Sequence, residues 1–374
     1  MKSGMDLYVL GVAMSPPHAA LRSQRTEEMA FETVRAALAR AGVKRQELDA
    51  VTLATSDEMD GRSISSMLMA APSGAYLKDE LRVTDSGLTG LVMGALRGAS
   101  GRFHLGLVVS WSQTSQIDVD ALTRMQAEPF TLRPVGMNGV IAAGLQAGAL
   151  QRGLDLQDRE VADCVVQRQT QAHKNPRGLR RAPVGVAEVE SSALQAWPLR
   201  QGHRAMPSDG CVAFVLASGD WLARHAAHRS MARPMARVCA VSSGIDRYAL
   251  GGARLEELST FDLSLTDVLG RSGWRPRMPI DVFEMEAQNG WQDLAMQQHA
   301  SRICPVGAYS PSGGVWAQNP LFCTGLVNAA EAVLQVAGEA GAVQVPHART
   351  ALAHGSHGYA QQGHTLVAFE RVEA

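Results

Sequence analysis

Five side chains in the last third of the sequence have the chemistry expected of an active site. They are one carboxylate, one thiol, two imidazoles and one phenol, on Glu286, Cys323, His354, His357 and Tyr359. An unpaired carboxylate in an apolar pocket has a raised pKa and can act as an acid or a base, so Glu286 is either such a group or one half of a salt bridge. His354 and His357 are predicted to lie on a glycine-rich loop, where a structural role and proton transfer are both open. Cys323 is either a small buried apolar residue or a nucleophile.

The composition narrows the class of function. The chain has 374 residues, of which 46% are apolar and 19% charged, and this balance is typical of compact globular proteins. The formal net charge is −1, so nucleic acid is excluded as a partner. No apolar run approaches the ~18 residues of a membrane span, and the N-terminus is predicted to be a strand and not a signal peptide. Five cysteines without CxxC spacing argue against a disulfide framework and a zinc site, and predict a cytoplasmic location.

Several common catalytic motifs are absent from the sequence. There is no GxGxxG after a strand, no P-loop, no HExxH and no GxSxG. The sequence therefore predicts neither a metal site nor a bound cofactor.

The elements that must position the five side chains occur twice. In each copy a strand precedes a helix that ends at a glycine, and a second strand opened by an aspartate follows: 7–15, 27–42 and 48–56, then 236–244, 263–273 and 280–288. An apolar helix rich in small residues and a further strand also recur, at 86–98 and 103–110, then at 324–338 and 350–355. Helices that are apolar on most sides are buried between sheets, so the repeat predicts a layered α/β fold.

The repeat also predicts how the chain is divided. One half covers residues 1–235 and the other covers 236–374. Within the first half, residues at about 115–205 form a more polar insertion, which is predicted to be a surface region of loops and helices that covers a site or a subunit contact.

Five strings in the sequence are similar to those of one protein family. They are VLGVAMSPP at 9–17, QRQTQAHKNPRG at 167–178, SDGCVAFVLASGDWLAR at 208–224, SPSGGVWAQNPLFCTGL at 310–326 and GEAGAVQVPHARTALAHGSHG at 338–358. With them the chain resembles the thiolase superfamily, in the branch of the sterol-carrier-protein-type thiolases and their lipid-transfer-type relatives. The resemblance implies duplicated βαβαβαββ halves in a five-layer α-β-α-β-α arrangement.

The resemblance also shows that the catalytic positions of the family are substituted here. The family's cysteine nucleophile lies in a Cys-x-Ser-Gly string at the start of the first buried helix, where the free N–H groups favour a thiolate. The matching string is Thr84-Asp85-Ser86-Gly87, which places Thr84 at the nucleophile position. Three more positions are matched by other residue types: the oxyanion-hole Asn or His by Glu286, the His of Gly-His-Pro by Asn319, and the second cysteine, of Cys-x-Gly, by Ala353.

These substitutions remove the chemistry of a thiolase. The hydroxyl of Thr84 is a poor nucleophile unless a base activates it. A carboxylate at Glu286 cannot donate a hydrogen bond to an oxyanion unless it is protonated. The amide of Asn319 does not titrate, so it cannot accept the proton of a nucleophile.

Other residues in and beside the strings that resemble the family are candidates for the site. Proton transfer is assigned to Glu286, His354 and Tyr359. Contacts with a coenzyme A thioester, as substrate or ligand, are assigned to Ser86, Gly87, Gly313, Gly314, Cys323, His357 and Gly358.

Three functions are consistent with these residues. The first is a protein that binds acyl-CoA or an acyl-carrier protein without cysteine chemistry, as the silent subunit of a heteromeric acyltransferase or thiolase complex. By resemblance it forms a homodimer, or a heteromer with an intact thiolase-like subunit or with a zinc-ribbon/OB-fold protein. The second is a carbon–carbon lyase of the retro-aldolase type on a CoA thioester, although the tyrosine that such relatives have near Pro320 is absent. The third is a thiolase that uses Cys323.

Overall fold

A computed structural model of the chain describes residues 5–62, 64, 66–225, 233–275 and 277–373. Its strands are β1 Leu7–Met14, β2 Ala50–Ala54, β3 Asp79–Val83, β4 Leu105–Ser112, β5 Leu194–Ala196, β6 Leu199–Arg200, β7 Gly210–Ser218, β8 Ala236–Ile245, β9 Ile280–Glu284, β10 Val306–Tyr309, β11 Thr350–His357 and β12 Gly363–Glu370. Its α-helices are α1 Thr26–Ala41, α2 Ser66–Met69, α3 Gly87–Ala99, α4 Val119–Gln126, α5 Gly139–Gly153, α6 Asp158–Lys174, α7 Val186–Ser191, α8 Gly219–His225, α9 Gly252–Glu257, α10 Ser259–Ser272, α11 Gly290–Ile303 and α12 Thr324–Ala337.

Ten of the strands form one mixed sheet with internal symmetry. Their order is β10-β9-β11-β12-β8-β1-β7-β4-β2-β3. In the first half β2 is parallel to β3 and β4, and β7 is antiparallel to β4 and β1. In the second half β9 is parallel to β10 and β11, and β12 is antiparallel to β11 and β8. The two sets of five strands therefore repeat one topology, and the antiparallel pair of β1 and β8 joins them.

Three clusters of buried apolar side chains lie between the layers of helices and strands. The largest contains α3 and α12 together with the strand faces of both halves, so these two helices lie between the half-sheets. A second cluster places α1 on the outer face of the first half, and a third places α10 and α11 on the outer face of the second half. This is the five-layer order of helix, sheet, helix, sheet and helix that the resemblance implies.

Glycines, which have no side chain, let the central helices approach the strands closely. A Cβ atom added to Gly90 of α3 would lie 2.4 Å from Ala54 Cβ of β2. One added to Gly325, in the first turn of α12, would lie 2.8 Å from the Cα atom of Gly355 in β11. Because real Cβ contacts are never this short, larger residues here would push the helix layer off the sheets.

The insertion predicted at 115–205 contains four helices, α4 to α7, and the short hairpin of β5 and β6. Helices α5 and α6 pack against α11 of the second half. The division of the chain at residue 235 remains a prediction. Among the described residues, no helix combines the length and the apolar character needed to cross a membrane. The cytoplasmic location also remains a prediction.

Candidate functional site

The centre of the site is Glu286, which follows β9 directly. The sequence pattern extends this strand to residue 288, but β9 ends at Glu284 and the chain turns inward after it. Glu286 is only 3% exposed. Its Oε2 accepts a hydrogen bond from the Ser356 N–H at 3.1 Å, and its Oε1 accepts one from Gln288 Nε2 at 3.1 Å. The backbone N–H of Gly325, at the start of α12, donates a further bond to the carboxyl group.

Burial raises the pKa of Glu286 from 4.5 to about 8, and the hydrogen bonds from Ser356, Gln288 and Gly325 only partly offset this effect. No arginine, lysine or histidine forms an ion pair with it among the residues that the structure describes. The carboxyl group is therefore protonated near neutral pH and has a proton to donate.

Gln288 connects Glu286 to the second substituted position, Asn319. Asn319 Nδ2 donates to Gln288 Oε1 at 2.7 Å, and Gln288 Nε2 donates to Asn319 Oδ1 at 3.2 Å. The Thr324 hydroxyl donates to the same Oδ1 at 2.8 Å. The Asn319 backbone N–H donates to Ser208 Oγ at 2.8 Å. Both ends of the Asn319 amide are thus occupied, and the group is fixed in place.

Gln288 was not predicted from the sequence to be part of the site. Its only sequence signal is its position, a polar residue two places after Glu286 at the end of an apolar strand. The same spacing has many structural explanations, so the pattern alone does not predict a bridging amide.

Thr84 occupies the position at the start of α3 without any activating group. Its side chain is exposed, and among the described residues it makes no hydrogen bond to a base. Ser86 is the N-cap of α3, and its Oγ accepts a hydrogen bond from the Thr89 N–H at 3.2 Å. Gly87 packs against the Cα atom of Cys323, which an added Cβ would approach to 3.0 Å. Ser86 and Gly87 are buried at the start of α3, and their contact with a ligand remains a prediction.

The prediction that His354 and His357 lie on a loop is wrong. Both belong to β11, because β12 pairs with this strand along its whole length, from Thr350 opposite Glu370 to His357 opposite Gly363. The glycine-rich sequence suggested a loop, but its glycines allow close packing between this strand and the central helices.

The two imidazoles point to opposite faces of β11. His354 is fully buried on the α10 side, where its Nε2 lies 3.0 Å from His364 Nδ1 and its ring packs edge-on against Phe261. Burial lowers the pKa of His354 well below 6.5. Its Nδ1 accepts a hydrogen bond from the Glu286 backbone N–H at 3.3 Å, so it supports the chain at the site. A role of His354 in proton transfer remains a prediction.

His357 faces the central helix layer. Its ring covers Gly363, and its electrostatic neighbour is Asp85, next to Thr84. Its Nδ1 is buried without a hydrogen-bond partner in the described part of the chain. Burial lowers the pKa of this imidazole, so it is neutral at physiological pH.

Tyr359 connects the turn after β11 to the insertion by a hydrogen bond. Its hydroxyl donates to the Thr123 carbonyl of α4, and its own carbonyl accepts a hydrogen bond from Arg254. Gly358 precedes it with φ = 73°, which L-residues rarely adopt. The phenol hydroxyl therefore contacts a residue of α4 that is 236 positions away in sequence.

Gly313 and Gly314 form the turn that leads to Asn319. Their φ angles are 88° and 53°. A Cβ atom on Gly313 would lie 2.5 Å from the backbone of Ala172 in α6, so this turn is pressed against the insertion. Both glycines are buried and shape the wall of the site.

Ala353 and Cys323 lie in the central apolar cluster. Burial raises the pKa of the Cys323 thiol well above 9.0. All five cysteines are buried, and burial also raises the pKa of Cys211 to about 12 and that of Cys304 to about 11. Such thiols remain protonated, which argues against Cys323 as a nucleophile.

A cavity of about 400 Å³ is lined by residues that neighbour this centre in the chain. Its wall is formed by α6, the stretch from 179 to 192, residues 201–206 and residues 315–318. Gln318 lines it and directly precedes Asn319, and the Ala205 N–H donates to the Gln288 carbonyl at 3.1 Å. The volume is within the range of small-molecule sites. In the described ranges, no three or more His, Cys, Asp and Glu side chains are grouped to hold a metal ion.

Parts of the chain are similar in sequence to known proteins. Residues 292–370 match the family model described as Thiolase C-terminal domain-like. A curated acetyl-CoA acetyltransferase from Methanothermobacter thermautotrophicus is 27% identical over 195 residues, which are 49% of this chain and 51% of that protein. The match thus spans about half the length of this curated relative.

Solved structures are similar over almost the whole chain. The Ltp2-ChsH2(DUF35) aldolase superposes with a TM-score of 0.78 at 16% identity, over 98% of each chain. Human mitochondrial 3-ketoacyl-CoA thiolase in complex with CoA gives 0.73 at 14% identity, over 99% of this chain and 98% of that one. The SCP2-thiolase like protein type 1 from Mycobacterium smegmatis gives 0.74 at 14% identity, over 99% and 78%. The chain has the thiolase fold, and both the predicted α/β class and the resemblance to the thiolase superfamily are confirmed.

Proposed function

We propose that this chain binds a CoA thioester, or the equivalent group of an acyl-carrier protein, and holds it without forming an acyl-cysteine. The observation that carries the proposal is the fixed amide of Asn319. Where thiolase chemistry needs a titrating imidazole, Gln288 and Thr324 occupy both ends of an amide. Within the described ranges the exposed hydroxyl of Thr84 has no base as a partner, and burial keeps the thiols protonated.

The cavity beside Asn319 is the proposed place for the ligand. It is lined by residues 169–206 and 315–318, and its volume suits a pantetheine arm with a short acyl group. The structural similarity to a human thiolase that was solved with CoA supports a ligand of this class.

A partner subunit is part of the proposal. Met67, Leu68 and Phe130 are 86%, 56% and 86% exposed, and large apolar side chains in water are typical of contact surfaces. Strand β3, which leads to Thr84, is an edge of the sheet and has free backbone groups for pairing. The similar aldolase is itself a two-component assembly of Ltp2 and ChsH2. These features support a homodimer, or a complex with a second, different chain.

A second function is favoured by the protonated carboxyl group of Glu286. When the Cα–Cβ bond of a 3-hydroxyacyl thioester breaks, the hydroxyl group loses its proton to water as it becomes a carbonyl, and the thioester is left as an enolate. An acid with a pKa of about 8 can donate a proton to the α-carbon of this enolate and is then reprotonated from water. The similarity to an aldolase points to the same reaction type. Of the three residues assigned to proton transfer, Glu286 supports this function best, because Nε2 of His354 and the hydroxyl of Tyr359 contact groups outside the pair of Gln288 and Asn319.

The proposal is tested with the purified chain by calorimetric titration and by chromatography of the CoA products. Butyryl-CoA is expected to bind, with a Kd in the micromolar range that is common for such sites. Incubation with 3-ketoacyl-CoA and free CoA is expected to give no thiolysis above the rate without protein. Rapid thiolysis by the chain alone would refute the proposal. Cleavage of 3-hydroxyacyl-CoA into a carbonyl compound and a shorter thioester would select the second function instead.

A further inference from the structure

The main chain of Glu286 is held by side chains and not by a neighbouring strand. Strand β9 ends at Glu284, two residues before it. The backbone N–H of Glu286 donates to His354 Nδ1 at 3.3 Å, and the Glu286 carbonyl oxygen accepts a hydrogen bond from Gln361 Nε2, also at 3.3 Å. Both polar main-chain groups of Glu286 are therefore fixed by β11 and by the turn that follows it.

The same hydrogen bonds define which ring nitrogens carry hydrogen. Because His354 Nδ1 accepts from a backbone N–H, the hydrogen of the neutral His354 ring lies on Nε2, which is 3.0 Å from His364 Nδ1. His364 Nδ1 is then the acceptor of this second bond. His364 also forms a hydrogen bond with the backbone of Gln361. The two neutral rings thus link the N–H of Glu286 to the residue that holds its carbonyl group.

The histidine pair is buried and confined by packing. His354 and His364 are 0% and 2% exposed, and the Phe261 ring packs edge-on against both, with ring centroids 5.5 and 5.6 Å away. Burial lowers the pKa of both imidazoles, to about 3 for His364, so the pair stays neutral at physiological pH. The other groups that act on the pair electrostatically are His357, Arg254 and Asp246.

The carboxyl group of Glu286 depends on this support of its main chain. Two of its hydrogen-bond donors are backbone N–H groups, those of Ser356 in β11 and Gly325 in α12. These donors are fixed by their strand and helix, so the carboxyl group meets them only while the Glu286 backbone is held in place. An acid must also be held within hydrogen-bond reach of the atom that it protonates.

We propose that His354, His364 and Gln361 are positioning residues for Glu286. They hold its main chain so that the carboxyl group stays buried and ready to donate a proton in the carbon–carbon cleavage described above as the second function. The inference rests on that function for its catalytic meaning, whereas the hold on the carboxyl group can be measured without a ligand.

The first measurement is the pKa of the Glu286 carboxyl group, by carbon-13 NMR of glutamate-labelled protein, in which Glu286→Gln identifies the resonance. His354→Gln removes the acceptor at the Nδ1 position, whereas His354→Asn places an amide oxygen there. We expect His354→Gln and Gln361→Met to let water reach the carboxyl group and to lower its pKa by about one unit or more. His354→Asn is expected to keep the pKa within about half a unit of the wild type.

Val51→Ala is the control for a general loss of stability. Val51 is fully buried in β2 of the first half, in an apolar cluster that contains none of the positioning residues. Its truncation is expected to lower stability and to leave the pKa of Glu286 unchanged.

The second measurement is the cleavage of 3-hydroxybutyryl-CoA by the purified chain. His354→Gln is expected to lower kcat at least about 10-fold and to leave KM within about threefold, because a positioned acid acts in the transition state. His354→Asn is expected to restore most of the rate.

An unchanged pKa of Glu286 in both His354→Gln and Gln361→Met would overturn the inference, and so would an equal fall in Val51→Ala or in His354→Asn. A lower pKa without any loss of kcat in an active protein would overturn it as well. If the wild-type chain does not cleave the thioester, the second function fails, and a pKa that falls in His354→Gln but not in His354→Asn would still establish the hold on Glu286.

Discussion

Arg168→Met is expected to lower the free energy of unfolding by about 3–5 kcal/mol, because it leaves a buried carboxylate without its partner. Arg168 Nε and Nη2 donate to Asp293 Oδ2 and Oδ1 at 2.8 and 3.0 Å, and the two side chains are 3% and 6% exposed. The pair joins α6 of the insertion to α11 of the second half. Since α6 also forms a wall of the cavity, the Arg168→Met substitution is expected to weaken ligand binding as well as to lower stability.

Chemical denaturation at pH 7 measures this change, and the same helix offers a control. Arg159 pairs with Asp163 at 3.3 Å, but their side chains are 64% and 56% exposed. Arg159→Met is expected to cost about 0.5 kcal/mol or less, as for exposed pairs one helical turn apart. Equal losses of unfolding free energy in the two variants would show that the buried ion pair contributes no more to stability than the exposed one.

Glu286→Gln is expected to remove one titrating group from the pH dependence of the free energy of unfolding. The folded pKa of about 8 lies above the ordinary value of 4.5, so the folded chain binds this proton more tightly than the unfolded chain does. The contribution of Glu286 is therefore fully present below pH ~4.5 and is lost as the pH rises through 8. At about 1.4 kcal/mol per pH unit, the loss between pH 5 and pH 9 amounts to about 4 kcal/mol.

Urea denaturation of the wild type and the variant from pH 5 to pH 9 tests this prediction. The difference in unfolding free energy is expected to move by about 4 kcal/mol in favour of the variant as the pH rises. Glu284, whose pKa burial and the nearby Glu331 also raise to about 8, contributes equally to both proteins and cancels. Glu80→Gln, on the exposed edge strand, is the control and is expected to follow the wild type. Parallel pH profiles of the wild type and Glu286→Gln would mean that Glu286 is ionised in the folded protein.

The fold was predictable because its signals are local. Gly42 and Gly273 end their helices in the left-handed conformation, with φ of 66° and 79°, as the glycine spacing predicts. Each copy of the repeat carries one of these two caps, and each small-residue helix lies between the half-sheets. Helix and strand boundaries differ from the pattern by a few residues, since pairing with neighbouring strands decides where an element ends.

Much of the site was not predictable because its contacts are distant in sequence. Tyr359 lies against Thr123 across 236 residues, and Arg168 meets Asp293 across 125. The side of β11 that His354 faces depends on strand register, and a shift of one residue would have turned it toward the central helices. Family matching identified Glu286 and Asn319, but it gave no sign that Gln288 joins them.

The most direct test of the central claim is the intact mass of the protein after incubation with acetyl-CoA or butyryl-CoA and rapid acid quenching. The fixed amide at Asn319 and the buried thiols predict an unchanged mass, while titration under the same conditions shows that the thioester binds. A mass increase of one acyl group, removed by hydroxylamine and mapped to Cys323, would contradict the account and establish covalent catalysis.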